Sequence, residues 1–556
     1  MKKIAGSILI LWIWTGCGKG GSSSAPPPPS PAFFSLTGYT LNNVEGANNI
    51  YNASRASIIK LRFSAPVNRS TVTGNIILQQ NSGTAVNYNI TYEKSDSVVV
   101  LQPAAPLAHL TKHKASVITS LKSVAGSSLG SATDVYFTTA IDSSRKFPII
   151  SDNALLDLVQ QQAFKYFWDF GHPVSGLARE RNTSGETVTS GGSGFGIMAI
   201  VAGVDRGFKT RAEGLSRMQT IVGFLKNTAQ KFHGAFPHWL NGTNGAVIPF
   251  STKDNGADLV ETSYLIMGLL TARQYFNAAD AGETTLRNDI NSICNGVEWN
   301  WFRNNNQNVL YWHWSPNYNW EINMPIKGWN ECLITYILAA SSTTFSVPAA
   351  VYTSGWTSNG SNGFTNGNTY YGSVLPLGAN LGGPLFFEHY TFMGVKPTGL
   401  SDAYANYQTQ TTNHTLINYN YCRANPQGHF GYSDSVWGLT ASDIPNGYTA
   451  SSPINDIGVI APTAALSSIA YTPTESMKAL KFFYYVLGDK LWGTYGFKDA
   501  FSLKEAWFAD SYLAIDQGPI MVMIENYRTG LLWNLFTSCP EIKAGMLSLG
   551  FTAPYL

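Results

Sequence analysis

The hydrophobic period changes once along this chain, and that change restricts it to two unlike folds in series. Between residues 33 and 142 the apolar residues fall in short runs, among them Ser57 to Phe63 (SIIKLRF), Asn75 to Gln79 (NIILQ), Ser97 to Leu101 (SVVVL) and Ala115 to Ile118 (ASVI). Turn residues separate the runs at intervals of about ten, the pattern of a β-sandwich. From about residue 150 the period becomes helical: Leu155, Leu158, Val159, Gln162, Phe164 and Phe167 lie on overlapping i, i+3, i+4 rows. Further helices are expected near 196–207, 210–231, 257–277, 284–301, 329–340, 400–421, 462–470, 473–488, 510–515 and 518–536, with long loops rich in Gly, Asn, Trp and Tyr between many of them. Periodicity alone therefore predicts a small all-β unit at 33–142 and a large all-α unit at 150–556.

The first residues read as an address. Lys2 and Lys3 precede an apolar stretch from Ile4 to Trp14 that is too short to cross a bilayer, so residues 1–16 are expected to be an export signal. Trp14-Thr15-Gly16-Cys17 resembles a bacterial lipobox, with Trp14 where Leu is usual, which makes Cys17 the expected lipidation site. The Gly/Ser-rich and then Pro-rich stretch after it, within 17–32, cannot bury a core and reads as a tether. A periplasmic or cell-surface lipoprotein, held to the membrane by its anchor, is the expected location. Cys294, Cys332, Cys422 and Cys539 show no CxxC spacing, which argues against zinc and leaves any pairing open.

Charge narrows the partners. Lys and Arg total 36 against 34 Asp and Glu, a net +2 with no basic excess to hold a phosphate backbone, so nucleic acid is not expected. Charged residues are 13% of the chain, against roughly 25% in soluble domains, and aromatics are also 13%. That balance suits a neutral ligand that stacks. No phosphate loop, dinucleotide fingerprint or HExxH motif is present, so no cofactor or metal is expected.

In a chain so poor in charge, carboxylates near helix starts stand out. Asp254, Asp258 and Glu261 are spaced i, i+4, i+7, which predicts one shared face at the start of the 257–277 helix. Capping and dipole complementation account for one or two of them; three together after a Gly/Asn/Thr loop favour a role in a cleft, and like charges so close would raise at least one pKa, which suits either an acid or a tight hydroxyl-binding network. Trp312, His313 and Trp320 share a loop, Trp329 precedes Glu331, and Glu388 and His389 lie in a second aromatic cluster. Aromatic faces and planar polar groups of this kind fit pyranose rings, so these residues are the expected substrate contacts.

Four blocks carry a family resemblance across most of the chain: Gly176-Leu177-Ala178-Arg179-Glu180-Arg181, Asp258-Leu259-Val260-Glu261-Thr262-Ser263-Tyr264, Gly328-Trp329-Asn330-Glu331, and Asp516-Gln517-Gly518-Pro519-Ile520 continuing through Ile524-Glu525-Asn526-Tyr527-Arg528-Thr529-Gly530. In this order they resemble the glucoamylase-like domain of glycoside hydrolase family 144. Residues 33–142 resemble a bacterial Ig-like domain through Phe63-Ser64-Ala65-Pro66-Val67 and, more loosely, Leu121 to Gly126. The resemblance implies an (α/α)6 toroid and inverting hydrolysis of β-1,2-glucan, usually endo-acting, with an exo-acting, sophorose-releasing minority.

Glycoside cleavage by inversion needs a carboxylic acid at the leaving oxygen and a carboxylate that activates water, set roughly 6.5 to 9.5 Å apart. The resemblance makes Glu331 the general acid and Asp516 the base, with Asp516 presented from a break between helices. Glu525 reads as a structural partner of Arg528. A single-chain enzyme acting on a β-glucan oligosaccharide is the expectation. A polysaccharide lyase and a noncatalytic glycan-binding lipoprotein remain as alternatives, the former disfavoured by the near-neutral charge.

Overall fold

The computed structural model describes residues 33–46 and 49–556, so the export signal, Cys17 and the tether lie outside the described residues. The chain divides into two compact units, one ending at Leu107 and resuming for His113–Phe137, the other comprising Ala108–Lys112 and Thr138–Leu556.

The first unit is a sandwich of nine strands: β1 (Leu36–Leu41), β2 (Val44–Glu45), β3 (Ile50–Ala53), β4 (Ile59–Phe63), β5 (Ile76–Gln80), β6 (Tyr88–Glu93), β7 (Val98–Pro103), β8 (Lys112–Val117) and β9 (Thr133–Thr139). They form sheets of order β2-β1-β4-β7-β6 and β3-β9-β8-β5. β4 alternates strictly, burying Ile59, Leu61 and Phe63 while Lys60 and Arg62 face out. This is the period-two signal that made the segment legible. Ile59, Leu61, Val99 and Leu101 of one sheet share a core with Leu78, Ala115, Val117 and Phe137 of the other.

The second unit is a toroid of inner and outer helices. The outer layer holds α1 (Asp152–Trp168), α3 (Arg211–Asn227), α5 (Ala281–Asn295), α7 (Tyr407–Ala424) and α9 (Pro473–Tyr485). The inner ring holds α2 (Ser190–Asp205), α4 (Leu259–Tyr275), α6 (Leu333–Ser341), α8 (Pro462–Leu466) and α11 (Ala514–Arg528), after the short α10 (Gly488–Leu491). Helices α12 (Leu531–Thr537) and α13 (Pro540–Ser548) complete the unit. Inner helices are buried on nearly every side, as α2 and α6 show, and α2 packs between α4 and α11. Between α6 and α8 the ring is closed by tight turns over Leu385–Glu388 and Thr391–Met393. This segment is tied to α6 by the Ile334 amide donating to Thr391 Oγ1 (3.1 Å) and to the far side by His389 Nε2 to Ser468 Oγ (2.9 Å).

Three expectations need correction. The helix expected from 196 begins at Ser190, because the Ser190-Gly191-Gly192-Ser193-Gly194 run, which reads as a loop, supplies a contact that only small residues permit. A Cβ on Gly194 would lie 2.1 Å from the Tyr264 carbonyl, and one on Gly268 would lie 2.3 Å from the Gly194 carbonyl, so α2 and α4 meet backbone to backbone. The stretch expected to be helical at 510–515 is extended up to Leu513, which bridges to Arg181. The single helix expected over 518–536 is broken at Gly530, whose φ of 70° suits a residue without a Cβ. The four described cysteines are free, and no helix among the described residues is long and apolar enough to cross a membrane.

The close approach is testable. Gly194→Ala should destabilise the toroid by about 3 kcal/mol or prevent folding, since overpacking against backbone has nowhere to relax. Gly223→Ala on α3, where an added Cβ meets nothing within 4 Å, should be neutral or stabilising by up to about 1 kcal/mol. Thermal denaturation of the two variants checks the contrast.

Candidate active site

The first acidic group assembles at the start of α4. Asp258 is the helix N-cap: its Oδ1 accepts from the amides of Val260 (3.0 Å) and Glu261 (2.9 Å). Capping thus occupies one oxygen and leaves Oδ2 for His238 Nδ1 at 3.0 Å. His313 Nε2 stands 3.7 Å from the same Oδ2 and 3.4 Å from Asp254 Oδ2. His313 reaches this place because Ala257–Asp258 pairs antiparallel with His313–Trp314, setting Asp258 opposite His313. The expected helical face is therefore corrected: α4 begins at Leu259, and Asp254 joins the group from the preceding loop.

Glu261 points toward α2. Its Oε2 accepts the Gly191 amide (2.8 Å) and the Thr189 hydroxyl (3.3 Å). Thr189 is the N-cap of α2 and makes no capping bond of its own, so a carboxylate from α4 serves the N-terminus of the neighbouring helix. Gly191 must lack a side chain, since a Cβ there would lie 2.4 Å from Glu261 Oε2.

Glu331 sits just ahead of α6, half-buried. Its main-chain carbonyl accepts from Thr391 Oγ1 (2.8 Å) and Tyr264 OH (3.4 Å). Burial, aided by the charges of Glu261 and Asp258, pushes its carboxyl up to about 7. Burial also raises Asp254 and Glu261. Asp258 is held below the ordinary carboxylate range because the His238 hydrogen bond and nearby imidazoles outweigh its burial. Burial works against a charged His238, but Glu261, Asp258 and Asp254 together overcome it and lift the imidazole to about 9.

The second acidic group is Asp516 with Asp499, Asp443 and Arg181. Asp516 lies within the first turn of α11 and is buried, so it is presented by the inner ring and not by a turn between helices. Asp499 Oδ2 accepts the Asp443 amide at 2.7 Å. Arg181 pairs with Asp443 (3.1 Å) and with Glu180 (2.8 Å). Tyr390 senses the charges of Asp516, Glu261 and Glu331, which places its ring among both acidic groups.

Several expected sugar contacts are structural. Trp329 Nε1 donates to Glu388 Oε1 at 3.0 Å, and Gln410 Nε2 and His414 Nδ1 share that oxygen at 2.8 Å each. Glu388 and His389 are fully buried, and burial drives the His389 imidazole down to about 3. Trp329, Glu388 and His389 therefore build a polar seam inside the ring and present nothing to a glucan. Trp320 packs into Trp301, Phe302 and Tyr311. Trp312 is half-buried beside His313, and its carbonyl accepts the Leu259 amide (2.9 Å). Glu525 pairs with Arg206 (2.6 Å) and not with Arg528, which binds Asp157. Sequence reasoning passed over His238, Asp443 and Asp499, isolated residues whose roles depend on distant partners. Among the described residues, His238, Asp254 and Asp258 could converge on a cation, with ligand atoms within 4.8 Å of one another.

Residues 323–540 match the family model described as "Putative glucoamylase", and 37–139 match "Bacterial Ig-like domain". An endo-β-1,2-glucanase from Chitinophaga pinensis, solved with sophorotriose and glucose, is 50% identical; the match covers 73% of this chain and 100% of that one at a TM-score of 0.72. The chain belongs to glycoside hydrolase family 144. A β-1,2-glucanase structure from Parabacteroides distasonis is 38% identical over 93% of this chain and 73% of that one, with a TM-score of 0.71. The curated exo β-1,2-glucooligosaccharide sophorohydrolase (non-reducing end) of Parabacteroides distasonis is 46% identical over 73% of this chain, a match that spans 58% of that relative's length. As a family 144 member the chain is a glycoside hydrolase.

The His238–Asp258 contact predicts a pH-dependent stability. The fold raises His238 from 6.5 to about 9, so its contribution is fully present below 6.5 and is lost as pH rises through about 9. His238→Gln should lower the melting temperature most near pH 6, by the equivalent of about 3 kcal/mol, with the gap closing above pH 9 in melts across that range.

Proposed function

We propose that this family 144 hydrolase cleaves β-1,2-glucan with inversion, attacking within the chain to release sophoro-oligosaccharides. The observation that supports this reading is Glu331: burial beside two other acids raises its carboxyl to about 7, the range suited to a general acid working near neutral pH. Glu331 protonates the glycosidic oxygen as the C1–O bond breaks, water adds to C1 from the opposite face, and Asp516 takes the proton that water sheds. Asp254 and Glu261, flanked by His313 and Trp312, hold the hydroxyls of the glucosyl unit beside Glu331, with Asp258 fixed behind them by its cap and by His238. The protein works as a single chain, exported and anchored through lipidated Cys17 at the periplasmic face or the cell surface, with the tether carrying it clear of the membrane.

Exo action is the second reading, favoured by the printed activity of the curated relative from Parabacteroides distasonis. Cyclic β-1,2-glucan separates the two, because a ring has no end: products from it require internal attack, and hydrolysis confined to linear chains with release of sophorose alone would establish the exo reading.

Glu331→Gln keeps the side chain's shape and removes its proton. Its kcat on linear β-1,2-glucan should fall by about 10² or more, with KM and melting temperature nearly unchanged. In the unmodified enzyme kcat should decline as pH rises through about 7, where Glu331 loses its proton. Activity should persist in chelator. Normal turnover of the folded Gln variant, or starch cleavage in place of β-1,2-glucan, would defeat the proposal.

A further inference from the structure

Among the described residues, the buried carboxyl oxygens that lack a donor include a neighbouring pair, Asp499 Oδ1 and Asp516 Oδ2. Both residues are buried, at 2% and 3% exposure, and their carboxyls lie within hydrogen-bonding reach of each other. Two ionised carboxylates cannot make that bond, because each only accepts. One proton between them converts two orphaned acceptors into one satisfied contact, which is how buried polar atoms are ordinarily found.

The surroundings hold the pair in that state. Asp443 gives its amide to Asp499 Oδ2 (2.7 Å), fixing the orientation of the Asp499 carboxyl. The charged and titratable groups facing the pair are Asp443 and Arg181, with Tyr448 and Tyr390 above them. Tyr448 lies directly across from Asp443 in the hairpin of Ala441–Ile444 with Gly447–Ala450. Arg181 is the one cation among these neighbours, and its charge is already divided between Glu180 and Asp443. Burial therefore raises both carboxyls, and their mutual repulsion raises Asp516 further.

We infer that the base of this enzyme is a two-carboxyl unit, Asp499 and Asp516 sharing one proton, with Asp499 as the positioning residue that sets the protonation of Asp516. The inference rests on the hydrolytic reading above and assigns Asp499 a part in it. In the reaction, the water oxygen bonds to C1, the glycosidic C1–O bond breaks, and the leaving oxygen receives the Glu331 proton. The proton shed by water enters the pair, which passes from one proton to two. Solvent then removes one proton from the pair and restores one to Glu331. The pair titrates as a unit, so the acidic limb of the rate profile belongs to both residues.

Asp499→Asn tests this directly on linear β-1,2-glucan. An amide at 499 donates to Asp516 and carries no charge, so Asp516 should ionise more readily: the acidic limb of kcat should move to lower pH. The plateau should fall by about 10², since a less basic acceptor takes the water proton, while KM stays within about threefold. Asp499→Glu, which keeps a carboxyl, should recover part of the rate. The Asp499→Asn, Asp516→Asn double variant should be no slower than the slower single variant, as for groups acting as one unit. A folded Asn variant with an unmoved limb and normal kcat would overturn the inference. So would a loss that tracks melting temperature alone. If that variant does not fold, infrared titration of the unmodified protein reads the same proton. A protonated carboxyl band at neutral pH that disappears in Asp516→Asn supports the pair, and a spectrum unchanged by that substitution refutes it. Failure of the unmodified enzyme to cleave the glucan would instead sink the functional reading, leaving the infrared result to decide the pair.

Discussion

The backbone contact between α2 and α4 governs the rest of this molecule. With Gly194 and Gly268 facing the opposing chain, two inner helices approach closer than side chains would allow. That separation lets Glu261 on α4 reach the first turn of α2 and accept the Gly191 amide. It also fixes the start of α4, where Asp258 divides its oxygens between capping and His238. Widening the contact by one methyl group would displace every acid in the first group together. The glycines thus constrain the geometry of the acidic group as well as the packing.

Electrostatics in the ring follow from scarcity. A chain with 13% charged residues places several of its carboxylates where water is excluded, and in such surroundings protons are retained that bulk solvent would remove. Different neighbours then divide the acids into kinds. Asp258 is held low beside the His238 imidazole, burial raises Glu331 to about 7, and burial with mutual repulsion raises Asp516 beside Asp499. One environment, varied by a few donors, yields an acid, an anion and a shared proton, the separation that acid–base chemistry at one pH requires.

What the sequence disclosed depended on whether a residue's role was local. The strands around Ile59 and Val98 and the helix from Asp152 follow from alternation and periodicity, and capping at Asp258 was readable from spacing. The fold class and family were legible in motif blocks. The glycine run at 190–194 was misread because its reason lies on another helix. Trp329, Glu388 and His389 had the composition of a sugar site, yet Trp329 bonds to Glu388 and His389 to Ser468, and all three are buried. His238 and Asp499 gave no local sign, since each acquires its function from a partner many residues away: twenty for His238, and for Asp499 a neighbouring strand and helix.

The fastening of Glu331 has a practical corollary. Thr391 and Tyr264 grip its carbonyl, and Trp329 two residues earlier is held by Glu388, so the residue's place is maintained largely through main chain and neighbours. Chemistry and architecture are therefore uncoupled at this position. On the proposed reading of Glu331 as the acid, a protein stripped of that one side chain would bind its glucan without cutting it, which makes the scaffold a starting point for a glucan-capture reagent: a lectin made from a hydrolase by a single deletion of function.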